Sequence, residues 1–270
     1  AAKVISLLAS PLAKGLFHRV IAESASPDGK PLKDLEAVGE KFFTRLGVDK
    51  AKDPLRAARA LPWEKIVEVE HQLIAELGAT GRGGNWDVAI DGWFMPEKPV
   101  EIFKKGQQHP LPYMLTANGG EIYTKMGEYL VPTYIELFSG AVKTGVKVHA
   151  LIFDRVPAKW RSEGCIAFHA DELGYVFGDW DNSAGFWTGV YNMARQFGVK
   201  SPDPGLDETD RKVSEMTMRI WTNYAKNGNP SVDGTVTWPA WDQASDRYLY
   251  IGDKPAVKTG YSKLAVGAKQ

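Results

Sequence analysis

The chain has 270 residues, 44% of them hydrophobic and 24% charged, with 33 Lys+Arg balanced by 33 Asp+Glu. That is enough to bury a sizeable core, and it excludes disordered, collagen-like and coiled-coil classes. Zero net charge removes the bulk electrostatic case for nucleic acid or an anionic membrane, and the single Cys165 rules out an internal disulfide or a zinc site.

In chain order, residues 2–13 carry Val4, Ile5, Leu7, Leu8 and Leu12, a nearly all-round apolar pattern that predicts a buried helix starting without a cap. These first residues do not read as a secretory leader, and no apolar run approaches the roughly 18–20 residues a membrane span needs. The compartment stays open. Arg19-Val20-Ile21-Ala22 is a short strand ending in a Ser/Pro/Asp/Gly cluster over 24–29. Leu32–Leu46 reads as an amphipathic helix closed by Gly47, and 62–77 as another, with Pro62 in its first turn and Gly78 behind it.

A flexible loop follows at 81–84, then a strand at 86–90 before the Asp91-Gly92 turn, and a short helix at 99–105. Residues 113–117 form a strand running into Asn118-Gly119-Gly120, and 146–153 form a second strand of the same character. The last third is mostly helical, most clearly over 209–226, ended by Asn227-Gly228-Asn229-Pro230. Strands alternating with helices predict a mostly parallel sheet with helices on both faces, an α/β class.

The 81–84 glycines lack nucleotide-loop spacing, and the five histidines show neither HxxxH nor HExxH spacing, so neither a cofactor nor a metal is expected. His18, His71 and His149 fall within regular elements and read as surface or satisfied core residues; His109 reads as a solvated loop residue. The aromatic load (9 Trp, 10 Tyr, 11 Phe) suits core, interface or apolar pocket alike.

Two residues stand out. His169 lies in a loop entering a helix beside Asp171-Glu172, where a general base is both exposed and oriented. Glu121 follows a strand and the flexible pair Gly119-Gly120, at the carboxyl end where parallel sheets put their ligands. A carboxylate and an imidazole from successive strand ends can form the orienter–base half of a hydrolytic triad. The plainer reading is that both residues simply open helices favourably. Cys165, among apolar neighbours, reads as a buried packing residue.

Several runs, in order along nearly the whole chain, resemble the type-B carboxylesterases, the α/β-hydrolase group that includes cholinesterases and para-nitrobenzyl esterases. They are Leu8 to Arg19 (LASPLAKGLFHR), Asp91-Gly92 with Phe94 and Pro96, and Pro112 to Glu121. GCIAFHADELGYVFG from Gly164, KNGNP from Lys226 and Trp238-Pro239-Ala240-Trp241 complete the set.

The resemblance implies the C-terminal part of an α/β-hydrolase fold, with 1–270 as a single such portion, and ester hydrolysis through an acyl-enzyme. It places Glu121 at the family's acidic triad position and His169 at the base. Glu172 falls on a carboxylate that supports the His loop, and Ser24 on a serine that hydrogen-bonds beside the acid. The family's nucleophile elbow, preceding strands and oxyanion loop would fall upstream of Ala1, so the chain is expected to be weak or inactive alone. Glu121 and His169 are only 48 positions apart, which implies a more open pocket than in better-known members.

Ala22-Glu23-Ser24-Ala25-Ser26 imitates a nucleophile elbow but lacks both of its glycines, so Ser24 is open as a substitute nucleophile or as a hydrogen-bonding partner. The expected partner is a small-molecule carboxylic ester, together with an N-terminal segment or a second copy on the bared edge beside 19–22. The alternatives are a non-catalytic cholinesterase-like binding protein and an inactive fragment.

Overall fold

A computed structural model of the protein describes residues 1–77 and 86–264. The glycine loop expected at 81–84 and the helix stop at Gly78 lie outside the described residues. Two compact units are present: Ala1–Ala9 with Ala13–Pro27 and Val100–Gln270, and Ser10–Leu12 with Asp28–Pro99.

The strands are β1 (Val20–Glu23), β2 (Lys30–Pro31), β3 (Ala89–Ile90), β4 (Tyr113–Asn118), β5 (Val148–Phe153), β6 (Arg247–Ile251) and β7 (Ala256–Thr259). The first unit holds a five-stranded sheet in the order β1-β4-β5-β6-β7, parallel except for the antiparallel β6–β7 pair. Every residue of β4 and β5 is buried, as expected for central parallel strands covered on both faces. Register explains which face each residue serves. Tyr113, Leu115 and Ala117 pair with Val148, Ala150 and Ile152 on one face; Met114, Thr116 and Asn118 pair with His149, Leu151 and Phe153 on the other.

On the first face, the Tyr113 hydroxyl bonds the Leu137 carbonyl of helix Gly127–Thr144, and its ring meets Phe103 edge-on at 5.8 Å. On the second, helix Glu208–Asn227 sends Ile220, Trp221 and Tyr224 into one core with Met114, Leu151 and Phe153. Helices therefore cover both faces. Burying each such side chain contributes about 1.5–3 kcal/mol, so these two strands anchor the unit.

The second unit is a small helical cluster. Helices Leu32–Leu46, Pro54–Arg59 and Trp63–Leu77 bury Phe42, Leu46, Ala58, Val69 and Leu73 together. Gly47 ends the first helix in the left-handed region at φ 73°, as its position suggested. Sequence periodicity missed Pro54–Arg59, which is too short for a pattern but carries its own start signal: Asp53 caps the Arg56 amide and Pro54 sits at the first position. Of the strand expected at 86–90 only Ala89–Ile90 pairs, because its partner β2 is cut to two residues by the helix starting at Leu32.

The first helix also differs. It runs only from Ala2 to Ala9, since Pro11 disfavours helical backbone at Ser10 and the chain tightens into a 3₁₀ turn over Pro11–Ala13. Its burial is one-sided: Ile5 and Leu8 are buried, whereas Leu7 and Leu12 are exposed. β6 and β7 were not visible as strands in the sequence. His18 lies outside any regular element. His109 is half-buried rather than solvated, with its amide donating to the Leu8 carbonyl at 2.9 Å.

Candidate active site

The turn after β4 is built by two glycines whose role is space rather than flexibility. Gly119 and Gly120 open the one-turn helix Gly119–Ile122. A Cβ on Gly119 would lie 1.9 Å from Asp154 Oδ1, and one on Gly120 would lie 2.7 Å from the Ala167 carbonyl oxygen. Without side chains there, the Gly120 amide reaches that carbonyl at 2.9 Å and ties the turn to the loop leading into His169. This close approach is what lets a carboxylate on the first segment meet an imidazole on the second.

Glu121 is 3% exposed, and both of its carboxylate oxygens have polar partners. Its Oε2 accepts from the Ser24 hydroxyl at 2.6 Å and from the Asn118 amide at 2.8 Å, while its Oε1 faces His169 Nδ1 in hydrogen-bond contact. Burial alone raises the pKa of this carboxyl. The hydrogen bonds from His169, Ser24 and Asn118 outweigh that and hold it below its ordinary value, so it is an anion at neutral pH. Ser24 reaches it because the residue just past β1 turns into the left-handed region (φ 52°) after its amide makes a last ladder bond to the Thr116 carbonyl.

His169 is the half-exposed partner, its side chain 35% accessible. Ala170, next in line, also holds a left-handed backbone (φ 76°), unusual for a residue with a Cβ, and it turns the chain sharply into helix Leu173–Val176. The loop is pinned from both sides. Glu172 is buried and accepts from the Asn118 side-chain amide, and burial first of all pushes its pKa up to about 7. Tyr175 donates its hydroxyl to Asp210 at 2.7 Å, and Asp210 also holds the buried Arg155 guanidinium at 2.7 Å. Asp171 is fully buried with no partner for either oxygen among the described residues, and burial pushes its pKa well above the ordinary carboxylate value.

All four residues singled out from the sequence thus converge: Ser24, Glu121, His169 and Glu172. Asn118 was missed as a participant, although it stands in the same motif; it touches Glu121 through its backbone and Glu172 through its side chain. Cys165 is buried, and burial pushes its thiol up to about 12. A cavity of about 310 Å³ beside the turn is lined by Gly119, Gly120, Asp154, Arg161, Cys165 and Ile166 among others, and neither Glu121 nor His169 lines it. Among the described residues, no three His, Cys, Asp or Glu side chains gather as a metal site, and no helix is long and apolar enough to cross a membrane.

Chemically, an imidazole whose Nδ1–H points at a buried anion presents its other nitrogen, Nε2, as a proton acceptor, and the anion stabilises the imidazolium once formed.

The model of the "Carboxylesterase family" matches residues 1–132 and 123–268. Carboxylesterase 1C of Rattus norvegicus is 26% identical over 297 residues, which cover 92% of this chain and 53% of that protein. Carboxylesterase 1F of Mus musculus is 24% identical over 307 residues, covering 91% and 53%. Among solved structures, a PNB esterase superposes with a TM-score of 0.72 at 19% identity, covering 94% of this chain and 57% of that one. The Geobacillus stearothermophilus carboxylesterase EST55 at pH 6.8 gives 0.66 at 16% identity, covering 95% and 58%. The shared fold is that of an α/β hydrolase, and the chain spans about half the length of the curated relatives it matches.

Proposed function

The chain belongs to the carboxylesterase family, and we propose that it supplies the acid and the base of a serine esterase. Its nucleophile and oxyanion donors would come from the portion of such an enzyme that residues 1–270 do not cover. His169 takes the proton of a serine hydroxyl as that oxygen attacks a carboxylic ester carbonyl. Glu121 holds the imidazole in the Nδ1–H tautomer and stabilises the imidazolium. The proton then passes to the leaving alcohol, an acyl-enzyme remains, and water attacks it through the same base. Each oxyanion donor contributed from elsewhere adds about 3–4 kcal/mol of transition-state stabilisation.

One observation carries this reading: a buried carboxylate, saturated by Ser24 and the Asn118 amide, has its remaining oxygen on His169 Nδ1. We assign Ser24 to supporting the acid rather than to nucleophilic attack, because its hydroxyl donates to the acid Glu121 and not to the base His169. Glu172 supports the His loop through Asn118. β1 pairs with β4 and stands at one end of the sheet order among the described residues. We expect that edge to be covered by the complementary segment or by a second copy.

Residues 1–270 purified alone are expected to hydrolyse a short-chain aryl ester no faster than their His169→Ala variant; turnover matching a whole esterase overturns the division of labour. The acid–base pairing is read separately by ¹⁵N NMR of the histidines. His169 is expected to carry its proton on Nδ1 and to lose that preference in Glu121→Gln, and an unchanged tautomer overturns the assignment. Light scattering tests the edge: a monodisperse monomer counts against self-association.

A further inference from the structure

Asn118 is the last residue of β4, and Glu172 lies three positions after His169. The Asn118 Nδ2 donates to Glu172 Oε2, so one pair of side chains joins the strand that carries the Glu121 turn to the loop that carries His169. That single bond leaves two features of the pair unexplained. Asn118 is fully buried, and its Oδ1 has no partner among the described residues. Glu172 is equally buried, and among the described residues no Lys, Arg or His side chain forms an ion pair with it. A buried carboxylate without a counter-charge and a buried carbonyl without a donor therefore stand side by side.

One proton answers both. An ionised carboxyl only accepts, so it can meet the NH₂ of Asn118 but not its oxygen. A carboxylic acid does both at once: its O–H donates to Oδ1 while its other oxygen accepts from Nδ2, closing a ring of two hydrogen bonds. Turning the amide over does not help the ionised form, because Oδ1 would then face a carboxylate. The surroundings also favour the neutral acid. The groups that face Glu172 are Glu23 at the end of β1, Glu121 in the turn after β4, Asp171 beside it and Tyr134 of helix Gly127–Thr144. The cation in range is the Ala1 amino group, which donates to the Glu23 carbonyl at 3.2 Å. Burial, with Glu23 and Glu121 adding to it, outweighs the Asn118 hydrogen bond and pushes the Glu172 carboxyl up to about 7.

We propose that Glu172 is a positioning residue that works as a neutral acid: its O–H donates to Asn118 Oδ1, its Oε2 accepts from Asn118 Nδ2, and this ring fastens the His169 loop to the Glu121 turn. The ring holds the two segments together without setting a second anion beside Glu121, so the imidazole answers to one carboxylate. Once Glu172 ionises, the donor to Oδ1 is lost, the new anion is repelled by Glu23 and Glu121, and the loop loosens. The consequence for His169 rests on the acid–base reading above, whereas the protonated carboxyl does not.

The test is NMR of the full chain carrying ¹³C at its glutamate carboxyls and ¹⁵N in its histidines, titrated from about pH 5 to 9. The Glu172 resonance, identified by its loss in Glu172→Gln, is expected at the position of a neutral acid at the low end and to move to that of a carboxylate with its midpoint near 7. Glutamine can keep the ring, its NH₂ donating to Oδ1 and its carbonyl accepting from Nδ2, and it does not titrate. At about pH 9, where the wild-type acid is ionised, Glu172→Gln should therefore hold the Nδ1–H tautomer of His169 at least about threefold more strongly than the wild type. Glu172→Leu, which has no ring, should hold it about tenfold less strongly than Glu172→Gln. A carboxylate resonance throughout the titration, a tautomer preference no stronger in Glu172→Gln than in the wild type, or an undiminished preference in Glu172→Leu overturns the proposal. Should the leucine variant not fold, the carboxyl titration and the glutamine variant still decide. A His169 without Nδ1–H preference in any of these chains at any pH overturns the acid–base reading itself, and the role of Glu172 with it.

Discussion

One face of the neighbouring strands β4 and β5 carries polar residues at both ends, and the buried titratable group near each end, Glu121 or His149, is treated in the opposite way. At the carboxyl end, Asn118 and the following Glu121 belong to a network in which both oxygens of the buried acid are occupied by Ser24, Asn118 and His169. At the amino end, His149 is equally buried and neither its Nδ1 nor the polar atoms of the adjacent Trp238 and Tyr224 find a partner. Burial alone therefore does not decide the state of a titratable group. It raises the pKa of Glu121, yet that carboxyl ends below its ordinary value because hydrogen bonds favour the anion; for His149, burial meets nothing to oppose it.

Breaking the satisfied end has the largest expected effect. In an assembled esterase carrying this chain, Glu121→Gln keeps the shape but abolishes the preference for the Nδ1–H tautomer, and kcat on a short-chain aryl ester should fall roughly 10,000-fold. A fall under tenfold would show that the acid does not orient the base.

Titrating the unsatisfied end comes next. An imidazole with a depressed pKa takes up its proton more readily in the unfolded chain. His149 therefore withdraws stability as pH falls below 6.5, and the loss levels off near 4. The groups facing it are Lys147, Tyr224 and, across a surface groove, Arg19, none of which stabilises an imidazolium. Across that window the wild type should lose roughly 3 kcal/mol more than His149→Phe. Urea unfolding at both pH values measures the difference, and parallel curves would contradict it.

A smaller effect tests how the satisfied end is assembled. Gly120→Ala places a methyl 2.7 Å from the Ala167 carbonyl, so the His169 loop must retreat. A destabilisation of about 2 kcal/mol is expected, together with a weakened tautomer preference at His169 by ¹⁵N NMR. The smallest effect runs the other way. Ala170 holds a backbone that glycine adopts freely, so Ala170→Gly should stabilise by up to about 1 kcal/mol, visible as a small rise in Tm.

Much of the architecture was legible because local signals and burial agree. Gly47 and Gly228 stop their helices in the left-handed conformation their positions suggested, and the apolar runs read as strands at 113–117 and 146–153 are β4 and β5, whose place inside the sheet came from the structure. Where a signal depended on a partner, reading failed. β7 is mostly exposed and is a strand only because β6 pairs with it, and the reach of helix 2–13 was set by Pro11 rather than by its hydrophobicity. The same holds at the site. Glu121 and His169 were marked by their motifs, but Gly119 and Gly120 looked flexible until Asp154 and Ala167 were seen pressed against them.

By itself the chain's order of residues determined most of its helices, the strands β1, β4 and β5, the parallel character of the sheet and the family to which it belongs, because periodicity, turn chemistry and motif runs are local and survive in one dimension. Tertiary structure decided which polar groups are answered and which are not. A hydrogen bond between Ser24 and Glu121, or its absence at His149, depends on segments far apart in the chain arriving within 3 Å of one another, and no spacing along the sequence encodes that distance.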